Sequence, residues 1–323
     1  LVSAYGPPGQ EEAVRALLLE RLNALGLASE TDAKGNLIVR LGERPRMLVT
    51  AHMDEIALLT TGVCADGSLL VSPMGGLSPW KIGEGMVSIL GSETVPGVLG
   101  FGAMHTEDPS ARSVRAKEDG VSWAHARVDT GLPAARLVEL GIGPGTRIVA
   151  GDRDVHEVGR WVAGRFLDDR ADLVSWLLAL HELKSDAPCD VWFAATVAEE
   201  VGGEGAQYLM QKVQPDICVA LELGPDVPDA PVEIDDTPTL WVADSYAAMA
   251  PRDIEWVESL GPVQRQALSR GGSDASCAAG RGLCARPITL GLPMKNTHGF
   301  EIIAPGSMSK LAERVVALVR SLG

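Results

Sequence analysis

Five short segments of this 323-residue sequence place His, Asp or Glu directly after a predicted strand or in a loop. They are residues 51–55 (AHMDE), 167–170 (LDDR), 197–203 (VAEEVGG), 220–224 (ALELG) and 296–301 (NTHGFE). In open α/β sheets, ligands bind at the carboxyl ends of the strands, so these side chains can meet at one edge of a sheet. Imidazole and carboxylate donors without thiolate suit zinc, cobalt or manganese.

Each segment taken alone also has an ordinary structural explanation. A histidine after a strand is often a capped loop residue, and the paired aspartates of LDDR fit a helix N-cap. Paired glutamates fit a solvated turn, and Glu222 fits an exposed strand end. The functional hypothesis therefore depends on the five segments together.

Taken together, the segments supply two imidazoles and three carboxylates, which is enough for two cations that share one bridging ligand. Asp54 lies two residues after His52 and can accept the other ring N–H of a metal-bound imidazole. One of Glu199 and Glu200 can bind a cation while its neighbour stays free as a general base.

An α/β pattern surrounds these segments. Helices are predicted at residues 11–25, 170–183, 204–213 and 307–322, and strands at residues 36–41, 47–51, 191–197, 217–221 and 288–290. Strands that alternate with helices predict a mostly parallel sheet covered on both sides, which is a three-layer α/β/α domain.

The pattern changes between about residue 56 and about residue 158, where Gly and Pro recur between brief apolar stretches. This spacing is typical of a small β-barrel or sandwich. We therefore expect a catalytic α/β domain at residues 1–56 and 158–323, interrupted by a β-rich insert at residues 57–157. Within the insert, residues 105–123 are polar and predict a loop, and residues 132–140 predict a short helix.

Composition limits the partners and the compartment. The net charge of −15 disfavours nucleic acid and anionic membranes as partners. Five cysteines without a CxxC pair argue against a disulfide framework and against a thiolate zinc site. No apolar run reaches membrane-spanning length and no apolar leader opens the sequence, so we expect a cytoplasmic protein.

Several motifs occur in the same order as in the M42 metallo-aminopeptidases. They are AHMDE, LDDRAD, VAEEVGGEGA, ALELG, GGSDA and NTHGFE. The sequence resembles that family from about residue 3 to the C-terminus. The resemblance implies a co-catalytic zinc peptidase domain with an inserted PDZ-like β-barrel domain.

By this resemblance, two divalent metal ions would be bound, with zinc expected and cobalt or manganese as alternatives. His52, Asp168 and Glu222 would hold one ion. Asp168, Glu200 and His298 would hold the other, with Asp168 as the bridge. The family often has Asp where Glu222 stands, and Glu can bind a metal as well.

The resemblance also implies the roles of the neighbouring residues and the reaction. Glu199 would be the general base, Asp54 would orient His52, and the peptide bond between Asp168 and Asp169 would be cis. A hydroxide bridging the two ions would then hydrolyse the first peptide bond of the substrate and release its N-terminal residue.

Homo-oligomers, from dimers to twelve-subunit shells assembled through the insert, are the quaternary structures that the resemblance implies. Two alternatives remain open. A related co-catalytic amide hydrolase, such as a carboxypeptidase or deacylase, would use the same metals on a different substrate. A catalytically silent scaffold would assemble through the insert without turnover.

Overall fold

A computed structural model describes residues 1–322, which form two compact units. The first unit contains residues 1–54 and residues from 155 onwards, and the second contains residues 55–154. Among the described residues, no helix combines the length and the apolar sequence that spanning a membrane requires.

Strands and helices alternate along most of the chain. The strands are β1 (Glu30–Thr31), β2 (Leu37–Leu41), β3 (Met47–His52), β4 (Ala57–Val63), β5 (Leu69–Met74), β6 (Gly85–Leu90), β7 (Thr94–Gly100), β8 (Arg127–Asp129), β9 (Arg147–Ala150), β10 (His156–Val158), β11 (Trp161–Gly164), β12 (Val191–Thr196), β13 (Ile217–Pro225), β14 (Thr239–Ala243), β15 (Gln264–Ala267), β16 (Arg286–Met294) and β17 (Glu301–Ile303). The helices are α1 (Glu12–Ala24), α2 (Pro79–Ile82), α3 (Arg112–Asp119), α4 (Ala134–Glu139), α5 (Leu167–Leu183), α6 (Glu204–Val213), α7 (Pro251–Ser259), α8 (Asp274–Ala279) and α9 (Ser307–Arg320).

An eight-stranded mixed sheet forms the centre of the first unit, in the order β1-β2-β12-β3-β13-β16-β14-β15. The four neighbouring strands β12, β3, β13 and β16 run parallel. Every residue of β3 and β12 is buried. Their continuous apolar sequences are typical of parallel strands that have both faces covered.

Successive residues of the central strands face two separate hydrophobic clusters. Val49 and Phe193 pack in the cluster that contains residues of α1, α5 and α9. Leu48 and Trp192 pack in the cluster that contains residues of α6 and α8. Because side chains alternate between the faces of a strand, helices lie on both sides of this sheet. The mixed α/β class predicted from the sequence is confirmed.

A closed barrel forms the second unit, with the strand order β4-β5-β8-β7-β6-β9. Its interior is filled by buried aliphatic side chains such as Leu58, Ile89 and Ile148. The spacing of Gly and Pro predicted a β-barrel or a sandwich, and the structure has the barrel. The short helix predicted near residues 132–140 is α4.

The prediction of a loop at residues 105–123 was wrong in part, because this stretch contains α3. Only Ser113 and Ala116 of that helix are buried. A stripe of two small residues provides no hydrophobic periodicity, so the sequence has no signal from which this helix could be read.

The carboxyl ends of three parallel strands lie side by side at one edge of the large sheet. His52, the last residue of β3, is in register with Thr196, the last residue of β12. On the other side of β3, Ala220 of β13 is in register with Thr50. Glu222 follows two residues later on the same face, which brings it level with His52.

Candidate metal centre

The carboxylate of Asp168 lies between two imidazoles. Its Oδ1 is 3.2 Å from Nε2 of His52, and its Oδ2 is 3.4 Å from Nε2 of His298. Oε2 of Glu200 is 3.7 Å from the same nitrogen of His298. Side chains from the end of β3, the start of α5, the loop after β12 and the loop after β16 therefore converge on one point.

Glu222 and Glu199 lie on the His52 side of this cluster. One ligand atom from each of His52, Glu199 and Glu222 lies within 4.8 Å of the other two. The same holds for His52, Asp168 and Glu200. The structure thus brings all the metal-ligand candidates of the sequence together, and it places Glu199 as close to His52 and Glu222 as a ligand would be.

Asp168 and Asp169 interrupt the first turn of α5. Both have non-helical backbone angles, and the peptide bond between them is cis, as the resemblance implied. The carboxylate of Asp169 then accepts the backbone N–H of His52 at 2.7 Å. The start of α5 is in this way bonded to the end of β3.

Asp54 contacts both the histidine and the glutamate pair. Its two carboxylate oxygens accept the backbone N–H groups of Glu199 and Glu200 at 2.9 and 3.0 Å. Nδ1 of His52 lies 3.1 Å from the Asp54 carbonyl oxygen and 3.4 Å from the Asp54 carboxylate. Asp54 is fully buried, so these contacts fix one orientation of its side chain.

Glu301 is a structural residue of the site to which the sequence analysis gave no role. Its two oxygens accept the backbone N–H groups of Asp168 at 3.1 Å and His298 at 2.9 Å. Glu301 therefore links, through hydrogen bonds, the segment of Asp168 to the segment of His298, and each of these residues is a candidate ligand. The available signal was its position three residues after His298 in NTHGFE.

Burial and neighbouring charges shift the pKa values of the carboxyl groups in the cluster. Burial raises the pKa of Glu200 to about 7, although His298 opposes the shift. Burial and then the charge of Glu199 raise the pKa of Glu222 well above its usual range. Burial acts in the same direction on Asp168, but its hydrogen bonds with His298 and His52 outweigh burial and hold its pKa well below the usual range.

Such a cluster fits divalent cations. Oε1 of Glu200 is buried and has no hydrogen-bond partner among the described residues. A buried carboxylate oxygen that is left uncompensated is costly, and a bound cation offsets that cost. Nitrogen and oxygen donors without thiolate are also a set that zinc accepts.

Imidazole and carboxylate donors that meet at the carboxyl edge of an α/β sheet are typical of a metal-dependent enzyme. Residues 35–313 match the model of the M42 glutamyl aminopeptidase family, and the chain belongs to this family. Peptidases of this family are metal-dependent, and the enzyme is accordingly a hydrolase of the aminopeptidase class.

Relatives of known sequence or structure support this membership. A putative aminopeptidase from Acetivibrio thermocellus is 26% identical over an alignment of 332 positions, which covers 98% of this chain and 94% of the relative. The lysyl aminopeptidase of Pyrococcus furiosus is 27% identical over 69% of this chain and 64% of the relative. The TET1 peptidase of Pyrococcus horikoshii superposes with a TM-score of 0.86 at 26% identity and covers 98% of this chain and 96% of that structure.

Proposed function

We propose that this chain binds two divalent cations, with zinc expected, and uses them to remove N-terminal residues from peptides. The position of Asp168 carries the proposal, because one of its oxygens faces His52 and the other faces His298. A carboxylate placed in this way is suited to bridge two cations. Glu222 would complete one ligand set and Glu200 the other.

When bound, two such cations polarise a scissile carbonyl group and lower the pKa of a water molecule that they hold. The residues of the chain supply the rest of the mechanism. We assign Glu199 as the general base that takes the proton of the attacking water and passes it to the leaving amine. Asp54 holds the backbone N–H of Glu199 and contacts the ring of His52, so it orients both.

We further propose that the insert at residues 57–157 is a PDZ-like domain through which the catalytic domain, residues 1–56 and 158–323, forms homo-oligomers. Trp80 and Met86 of this insert are large apolar residues that are mostly exposed. Exposed apolar groups of this kind mark interaction surfaces when they lie in one patch. The TET1 peptidase of Pyrococcus horikoshii assembles into a tetrahedron or a large octahedral shell.

A comparison of free and blocked peptides tests the proposed reaction. The protein is stripped of metal, reloaded with zinc, cobalt or manganese, and given one peptide series with a free amino terminus and a matched series with an acetylated one. We expect residues to be released only from the free series and only after reloading. Preferential cleavage of the acetylated series would indicate the alternative amide hydrolase, and no cleavage of either would indicate a silent scaffold.

A further inference from the structure

Residues 197–200 contain Glu199 and Glu200, and side chains from three other segments bind all four of their backbone N–H groups. Oδ1 of Asn36 accepts the first at 3.1 Å, and Oε1 of Glu11 accepts the second at 3.2 Å. The two oxygens of Asp54 accept the third and the fourth at 2.9 and 3.0 Å. Every backbone N–H group of residues 197–200 therefore donates a hydrogen bond to a side chain from another segment.

Three of the four carbonyl groups of this segment also accept hydrogen bonds from the backbone. The carbonyl oxygens of residues 197, 198 and 199 accept N–H groups from residues 202–205 at distances of 2.8 to 3.1 Å. Because both donors and acceptors are in use, a rotation of this backbone breaks several hydrogen bonds at once.

Glu11 accepts the backbone N–H of Ala198, the residue of the segment whose backbone conformation is unfavourable. Ala198 has a φ of 54°, in the left-handed region that is unfavourable for a residue with a Cβ atom. A conformation of this kind persists only where surrounding structure supports it. The Glu11 side chain gives that support from a buried position, and the same oxygen also accepts the N–H of Gly9 at 2.8 Å.

We infer that Glu11 is a positioning residue for catalysis, because its carboxylate fixes the backbone at Ala198 and thereby the directions of the Glu199 and Glu200 side chains. The inference rests on the proposed function for the roles of those two glutamates. It also assigns a role to the segment that precedes α1, since the Glu11 side chain accepts hydrogen bonds from both Gly9 and the loop after β12.

Three variants separate positioning from general stability. Glu11→Met fills the same buried space without a carboxylate, and Glu11→Gln keeps a side-chain oxygen. Leu18→Ala removes buried packing from α1, the helix that follows Glu11. Hydrogen–deuterium exchange of the peptide that covers residues 197–200 is measured together with kcat and KM of the zinc-loaded enzyme.

For Glu11→Met we expect amide exchange in this peptide to be faster by about tenfold, as the loss of a buried side-chain hydrogen bond implies. We expect kcat to fall by about 10- to 100-fold with KM nearly unchanged, since a small displacement of a reacting group has effects of this size. Glu11→Gln should restore most of both properties. Leu18→Ala should lower the melting temperature while kcat and the exchange of this peptide stay near those of the unchanged protein.

Unchanged exchange in Glu11→Met, or an equal loss of kcat in Leu18→Ala, would overturn the inference. If the unchanged, zinc-loaded protein cleaves no peptide, the proposed function fails. The exchange measurement still decides in that case whether Glu11 holds the segment, so the two failures are distinguishable.

Discussion

The backbone N–H of His52 donates a hydrogen bond of 2.7 Å to the carboxylate of Asp169. Both residues are buried, and the bond joins the last residue of β3 to the first turn of α5. Asp168, the adjacent residue, contacts the ring of His52 with its own carboxylate. Two consecutive aspartates thus contact the backbone and the side chain of one histidine.

Replacing Asp169 should therefore show how much its hydrogen bond with the backbone of His52 stabilises the folded protein. Asp169→Ala leaves a buried N–H without its acceptor and should lower the free energy of unfolding by about 1–3 kcal/mol. Asp169→Asn keeps an acceptor oxygen and should lose less. Urea unfolding of both metal-free variants checks this, and equal losses in the two would show that the hydrogen bond to His52 contributes little.

Glu199→Gln tests the assignment of the general base against the geometry that also permits Glu199 to be a ligand. Gln keeps the shape of the side chain but cannot take a proton, so kcat should fall by about 10²–10⁴-fold. The metal content, measured by inductively coupled plasma mass spectrometry, should stay at two ions per chain. A variant that binds one ion fewer would show that Glu199 is a ligand rather than a free base.

Asp168→Asn tests whether Asp168 is a ligand that the two proposed cations share. The amide has no negative charge and only one acceptor oxygen, so it cannot replace a carboxylate that faces both His52 and His298. We expect both zinc sites to weaken together in calorimetric titrations of the metal-free protein. Glu222→Gln is the matched comparison, because it should weaken one site and leave the other. Loss of a single site in Asp168→Asn would contradict a shared ligand.

How much of this site the sequence could reveal depends on where each residue lies. His52 ends the buried strand β3, Glu199 lies three residues after the buried strand β12, and residues in such positions reach the ligand-binding edge of the sheet. Glu11 and Asn36 lie in loops, and each contacts the 197–200 segment across more than 160 positions of sequence. Polar loop residues have no periodicity that would indicate such a partner.

The secondary structure likewise contains elements that the sequence predicts well and elements that it does not predict. The buried strands β3 and β12 and the amphipathic helix α6 were predicted nearly to the residue, because long apolar or periodic runs have few alternative structures. Strands β14 and β15 and helix α7 were not predicted from the sequence. Of the four residues of β15, only Gln266 is buried, so this edge strand has neither an apolar run nor an alternation of apolar and polar residues.

Removal of metal should make the stability of the protein depend on pH. Without cations, burial raises the pKa of Glu200 to about 7 and that of Glu301 to about 8. Groups that bind their protons more tightly in the folded state stabilise it at low pH, and this stabilisation is lost as the pH rises through those values. The melting temperature of the chelator-treated protein should therefore fall between about pH 5 and about pH 8.

Saturating zinc should reduce or reverse this decrease, because a carboxylate binds a cation in its ionised form. Melting curves collected by differential scanning calorimetry at several pH values, with chelator or with zinc, provide the comparison. A metal-free protein that becomes more stable over the same range would contradict the raised pKa values.

Gly205 provides a steric test of the segment that contains Glu199. A Cβ atom at this position would lie 2.4 Å from Oδ1 of Asn36 and 2.4 Å from the carbonyl oxygen of Val197. Because the Val197 oxygen is a backbone atom, the backbone must move to admit a methyl group, even if the Asn36 side chain also turns away. Gly205→Ala should lower the free energy of unfolding by about 1–3 kcal/mol, as overpacking typically does.

Gly143→Ala is the matched control, because a Cβ atom there meets no other atom within 4 Å and the glycine has no positive φ. This variant should keep both stability and kcat. Gly205→Ala should lose kcat as well as stability, since the displaced hydrogen bonds are those that hold the segment of the general base. If Gly205→Ala retained full kcat at a temperature where it is folded, the position of Glu199 would not depend on the bonds at Val197.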